Sequence, residues 1–83
     1  MAGAVRTAAY QEMLTYLIAA RNEAQLSQAE LAKLLGKPPS FVGKYELGER
    51  RLDVVELVVI LKALEHKASD VIAVIEEKVS SIK

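Results

Sequence analysis

The residues that could carry out chemistry are few in this chain. It has no cysteine and one histidine, His66. One chain therefore cannot build a thiolate zinc site, a cysteine nucleophile or a paired-histidine metal site. Its serines lack the neighbouring acid and base residues of a catalytic triad. We expect no enzyme activity, no metal and no cofactor.

The basic residues, in contrast, are concentrated in the middle of the chain. The 83 residues carry 11 basic and 11 acidic side chains and have no net charge. Residues 1–32 sum to −1 and residues 52–83 sum to −2. Residues 33–51 have five basic and two acidic side chains, which gives +3: Lys33, Lys37, Lys44, Arg50 and Arg51 against Glu46 and Glu49. A local basic patch on a neutral protein favours a negatively charged partner.

Length and composition indicate one folded domain over residues 1–83. Hydrophobic residues make up 52% and aromatic residues 5%, so the predicted core is mostly aliphatic. The longest uninterrupted apolar run, Leu57–Leu61, is far too short to span a bilayer, and the N-terminus has no long apolar segment. We therefore expect a cytoplasmic location.

Apolar spacing and capping residues predict an all-α fold of five short helices. The capping boxes of Ser27 with Glu30 and of Asp53 with Glu56 start two of them. Gly36 and Gly48 end the second and third. Ser69 or Asp70 is expected to open the last helix. The predicted helices cover residues 6–23, 28–35, 39–47, 54–65 and 70–80.

The second and third predicted helices, joined by a tight turn, form the constellation most informative about function. Ala32 supplies the small side chain that two closely crossing helices need, and Gly36 supplies the positive φ of the turn. The outer face of the third helix is left with short or polar groups, which can enter a DNA major groove. These are Pro39, Ser40, Gly43 and Lys44, with Phe41 at the edge.

In these residues the chain resembles the lambda-repressor/Cro-like, or XRE-type, helix-turn-helix family. The resemblance spans about residues 10–68, and three stretches carry it: Leu26-Ser27-Gln28-Ala29-Glu30-Leu31-Ala32, Leu35-Gly36, and Ser40-Phe41-Val42-Gly43-Lys44-Tyr45-Glu46-Leu47-Gly48-Glu49-Arg50-Arg51. It implies a compact five-helix domain that binds specific duplex DNA sequences. It also implies a transcriptional regulator, usually a homodimer.

The resemblance also implies a set of DNA contacts. Phosphate contacts are expected from Gln28, Lys37, Arg50 and Arg51, and base contacts from Pro39, Ser40, Phe41, Gly43 and Lys44. The family often has a polar base-reading residue in place of Pro39 and a serine in place of Gly43. These departures leave more of the readout to Lys44 on a guanine edge, to Ser40, and to Phe41 on a thymine methyl. Phe41 can alternatively be part of the core.

Arg21 and Glu46 are expected to form a structural ion pair. Arg21 lies on the apolar face of the first predicted helix, where an unpaired charge would be costly. Glu46 lies at the end of the third helix, beside an expected core tyrosine. In the family that the chain resembles, such residues pair, and the pair would hold the third helix on the rest of the domain.

Aliphatic residues on the last two helices exceed what the core of an 83-residue monomer needs. We interpret Val55, Val59, Ile72, Val79 and Ile82 as a dimer interface. The sequence thus predicts a homodimeric regulator of the repressor type that binds an operator with two half-sites. The alternative is the antitoxin of a toxin–antitoxin pair, in which the same residues would cover a toxin.

Overall fold

The computed structural model describes residues 7–79. Within this range the chain forms five α-helices and no strand, which confirms the predicted all-α fold. The helices are α1 (Ala8–Glu23), α2 (Gln28–Leu35), α3 (Phe41–Glu46), α4 (Val54–Ala63) and α5 (Ala68–Lys78). None of these helices is both long enough and apolar enough to cross a membrane.

One core holds the five helices together. Helix α1 packs along α5, α2 packs on α3 and α4, and α3 also contacts α1. Each helix contributes buried apolar side chains because its apolar residues recur three and four positions apart. The core residues are Met13, Leu14, Leu17, Ala20, Leu31, Ala32, Phe41, Val42, Tyr45, Leu57, Ile60, Leu61, Leu64 and Val71.

The turn between α2 and α3 has the geometry that its residues predict. Ser27 caps α2 by accepting a hydrogen bond from the backbone N–H of Glu30, and the Glu30 carboxylate accepts from the Ser27 N–H. Gly36 ends the helix in the left-handed region at φ 69°, which costs little without a Cβ. Ala32 is fully buried where the two helices meet. The cap, the glycine and the small alanine together set the direction of α3 relative to α2.

Several predicted helix boundaries are wrong by about two residues. Helix α1 starts at Ala8, after the N-cap Thr7, and not at residue 6, and helix α5 ends at Lys78 and not at residue 80. Helix α3 starts at Phe41, not at Pro39, because the Phe41 N–H bonds the Pro38 carbonyl in a turn that precedes the helix. Helix α4 ends at Ala63, and Glu65 then takes a positive φ of 62°. Helix α5 starts at Ala68 with no side-chain cap, instead of after Ser69 or Asp70.

Candidate nucleic-acid interface

The orientation of α3 is fixed by its buried side. Val42 and Tyr45 are fully buried, and Phe41 is 7% exposed. Because residues three, four and seven apart share a helix face, burying these three turns the opposite face outward. That outer face presents Ser40, Gly43, Lys44 and Leu47.

A partly buried charge network holds α3 on α1 and α2. The Arg21 guanidinium donates from Nε to Glu46 Oε2 at 2.7 Å and from Nη2 to Oε1 at 3.1 Å. Its Nη1 also donates to the Leu26 carbonyl at 2.8 Å. The hydrogen bond to Glu46 raises the pKa of Arg21 despite the opposing effect of burial. The arginine therefore joins three segments: α1, the turn before α2, and the end of α3.

Gln28 joins the same network from the start of α2. Its Nε2 donates to Glu46 Oε1 at 2.8 Å. The side chain then lies over Gly43, and a Cβ added at Gly43 would be 3.2 Å from Gln28 Oε1. The glycine leaves space that the Gln28 amide occupies, so Gln28 provides polar atoms on a part of α3 that has no side chain of its own.

Phe41 packs in the core, which is the alternative that the sequence leaves open for it, and 7% of its surface is exposed. Its ring packs edge-on against Tyr45, with the ring centroids 5.5 Å apart, and belongs to the core. The Lys37 ammonium lies 5.4 Å from the ring centroid and the Arg50 guanidinium 4.9 Å from it. Phe41 thus supports two cations at the edge of α3 through cation–π contacts.

Arg50 is engaged by α4. Its two terminal nitrogens donate to the two carboxylate oxygens of Glu56 at 3.0 and 2.7 Å. Glu56 also accepts from the Asp53 N–H in the capping box of α4. The hydrogen bond from Arg50 is the main reason that the pKa of Glu56 is lowered to about 2. Arg50 Nη1 also donates to the Arg51 carbonyl at 2.9 Å, so Arg50 reaches a phosphate only with Nε, with its second Nη2 hydrogen, or at the cost of one of these bonds.

The other predicted contact residues lie on or beside the outer face of α3. Ser40 precedes the helix, and its hydroxyl makes no capping hydrogen bond. Pro39, Lys44 and Arg51 are exposed, and neither Lys44 nor Arg51 forms an ion pair within residues 7–79. One open depression beside α3 is lined by Lys37, Pro38, Ser40, Phe41, Lys44 and Arg50. The structure thus brings three of the predicted cations, Lys37, Lys44 and Arg50, to one edge of the domain.

Tyr45 is fully buried together with its polar hydroxyl group. Its hydroxyl has no hydrogen-bond partner in the described part of the chain. Burial, followed by the nearby Glu46 charge, raises the pKa of this tyrosine, so it stays neutral. The ring therefore acts as an apolar anchor for α3.

Exposed aliphatic residues on α4 and around α5 are a second feature. Val55 and Val59 on α4 and Ile72 on α5 are exposed, as is Val79 just after α5. Ile82, predicted to join them, lies outside the described residues. A groove lined mostly by apolar side chains borders the two valines. No group of three or more histidine, cysteine or acidic residues within residues 7–79 could hold a metal ion.

Sequence reasoning missed two residues of this region. The sequence predicts only a capping role for Glu56 at the start of α4, because no local pattern links this residue to Arg50 six residues earlier. Leu47 was treated only as the end of the third helix, yet it is 76% exposed on the outer face of α3. Because Leu47 follows Ser40 by seven residues, helical geometry places the two side chains on the same face of α3.

Comparison with known proteins agrees with this geometry. The sequence model of the helix-turn-helix family matches residues 17–69. A solved structure described as an XRE-family like protein from Pseudomonas syringae pv. tomato str. DC3000 is 38% identical in sequence, with a TM-score of 0.79. That similarity covers 88% of this chain and 91% of the other. Among curated proteins, none matches. The chain belongs to the XRE-type helix-turn-helix family of DNA-binding transcription regulators.

Proposed function

We propose that the protein is a homodimeric repressor that binds specific duplex DNA through the outer face of α3. The observation that carries the proposal is the contrast between the two sides of this helix. Its inner side is locked by Tyr45 and by the ion pair of Arg21 with Glu46, while Ser40 and Lys44 stay exposed. A rigid helix with short outward side chains and flanking cations suits a major groove.

The residues on this surface have different tasks in the proposal. Lys44 and Ser40 read base edges, and Lys37 and Arg51 contact phosphates, which fixes the register of the protein on the duplex. Gln28 contacts the phosphate backbone while it also orients Glu46. Arg50 acts mainly through its pair with Glu56, which holds the segment after α3 beside α4.

The proposed dimer uses the exposed aliphatic residues on α4 and around α5. Val55, Val59, Ile72 and Val79 support this part of the proposal, because a second copy would remove their side chains from water. Two copies of α3 would then read half-sites about 34 Å apart on one face of the DNA. Bound over a promoter, such a dimer represses transcription by excluding the polymerase.

Selection of bound fragments from random duplexes tests the proposed function. The purified full chain should enrich a two-fold symmetric sequence with half-sites about one helical turn apart. Recovery of no enriched sequence, or of a single half-site without symmetry, would contradict the proposal. A scrambled duplex of the same base composition is the control for charge-driven binding.

The oligomeric state distinguishes the repressor from the antitoxin alternative. A stable dimer of the purified chain is the expected result, measured by sedimentation equilibrium. A monomer that aggregates unless a partner protein covers Val55 and Val59 would favour the antitoxin, which would use the same aliphatic residues.

A further inference from the structure

We propose that Leu47 is a specificity-determining residue that contacts the 5-methyl group of a thymine in the major groove. This inference rests on the proposed function and adds to it the chemistry of one base contact. It assigns a readout role to a residue that the sequence pattern treats only as the end of a helix.

The position of Leu47 follows from the geometry of α3. Leu47 caps the helix with helical backbone angles of φ −82° and ψ −7°, and its N–H bonds the Gly43 carbonyl at 3.0 Å. The helical arrangement therefore continues to this residue. Seven residues separate it from Ser40, which is nearly two full turns, so the two side chains lie in one row with Gly43 between them.

Leu47 is unusual both in the exposed fraction of its side chain and in the helix face on which it lies. At 76%, it is the highest among the exposed large hydrophobic side chains of residues 7–79. Single exposed leucines are common on protein surfaces and need no explanation by themselves. This one, however, lies on the same face as the exposed Lys44, while the inner face of the helix is fully packed.

The burial of Phe41 strengthens the assignment. Phe41 was the aromatic expected to meet a thymine methyl, and its ring lies in the core against Tyr45. Leu47 is the large apolar side chain that α3 presents outward. Gly43 contributes no side chain of its own to this row, and the group that lies over it is the polar Gln28 amide.

The charge around Leu47 favours DNA over a protein as its partner. The segment from residue 33 to residue 51 carries +3, and Lys44 and Arg51 form no ion pair within residues 7–79. A major groove offers phosphates along its walls and thymine methyl groups on its floor. It therefore satisfies the cations and the leucine together.

The experiment uses duplexes that differ by methyl groups alone. In the selected operator, each thymine is replaced in turn by deoxyuridine, which keeps base pairing and lacks the 5-methyl group. At one symmetric pair of positions, the wild-type protein should lose about fourfold in affinity for each half-site, since burying one methyl is worth roughly that factor. Leu47→Ala should bind the thymine and uracil duplexes equally.

Two further variants keep the result interpretable. Leu47→Met retains an apolar side chain of similar size and should keep most of the preference for thymine. Leu34→Ala removes another exposed leucine, on α2, and should leave the thymine-to-uracil ratio unchanged. Circular dichroism of each variant checks that the helices are intact.

The outcomes separate this inference from the proposed function. Enrichment of a symmetric operator with no methyl-sensitive position, or with a methyl effect that persists in Leu47→Ala, would overturn the role of Leu47 and leave the repressor proposal standing. If selection yields no enriched operator, both fail.

Discussion

Helices α3 and α4 each present an exposed face, and the two faces differ in chemistry. The face of α3 combines short polar groups, a lysine and one leucine, with cations at its edge. The face of α4 carries the aliphatic Val55 and Val59, beside a groove whose lining is mostly apolar and includes Lys37. Exposed charge suits a polyanion, and exposed aliphatic surface suits another protein. We therefore propose DNA as the partner of the first face and a second copy as the partner of the second.

Loss of Arg21 should have the largest effect on stability, because it removes the ion pair that holds α3, the helix with the first face. Arg21→Ala leaves the largely buried Glu46 carboxylate without its partner and should lower the free energy of unfolding by about 3–5 kcal/mol. Urea unfolding followed by circular dichroism measures this.

Arg50→Ala is the matched control for that variant. It also breaks an arginine–glutamate pair, but the Arg50 side chain is 41% exposed, so the loss should be clearly smaller than that of Arg21→Ala. Equal losses in the two variants would show that the buried pair does not hold α3.

A charge on the second face should separate the dimer. Val59→Asp places a carboxylate in the proposed interface and should raise the dimer dissociation constant about thirtyfold, equivalent to about 2 kcal/mol. Sedimentation equilibrium gives the value. Val54→Asp makes the same change on another side of α4 and should leave the dimer intact. A dimer that tolerates Val59→Asp as well would place the interface elsewhere.

On the first face, two cations should differ in what they contribute. Lys44→Ala should weaken operator binding by about 1–3 kcal/mol and leave binding to random DNA nearly unchanged. Arg51→Ala should weaken binding to all sequences alike and lower the salt slope by about one per contact. Fluorescence anisotropy at several salt concentrations distinguishes them. Identical behaviour of the two variants would refute the division into base and phosphate contacts.

Glu56 links the two faces and should give a small pH effect. Its pKa is lowered from 4.5 to about 2, so its pair with Arg50 stabilises the folded state fully above pH 4.5. That contribution is lost as the pH falls from 4.5 to 2. The difference in melting temperature between wild type and Glu56→Gln should shrink over this range. In Arg50→Ala most of the pH dependence attributed to Glu56 should be absent, whereas an unchanged profile would contradict this cause.

The fold was largely predictable because its devices are local. In each capping box the acidic residue follows the capping residue by three positions: Glu30 follows Ser27, and Glu56 follows Asp53. The positive φ at Gly36 favours glycine at that position. Such signals need no knowledge of the rest of the chain. Where local signals compete, as with two prolines before α3, the predicted helix boundary is wrong.

The candidate site was less predictable because its details depend on packing. Nothing near Phe41 in the sequence shows that its ring turns inward beneath Lys37 and Arg50. The pairing of Arg50 with Glu56 depends on how the chain returns to α4. Helical geometry predicts that Leu47 lies on the outer face of α3, but only when the buried side of that helix is known.

Backbone amide chemical shifts during titration with the selected duplex report which helix binds DNA. We expect the largest changes at Ser40, Lys44 and Leu47, with smaller ones at Gln28 and Arg51. Changes confined to Val55, Val59 and their neighbours on α4, with the amides of α3 unaffected, would contradict this expectation.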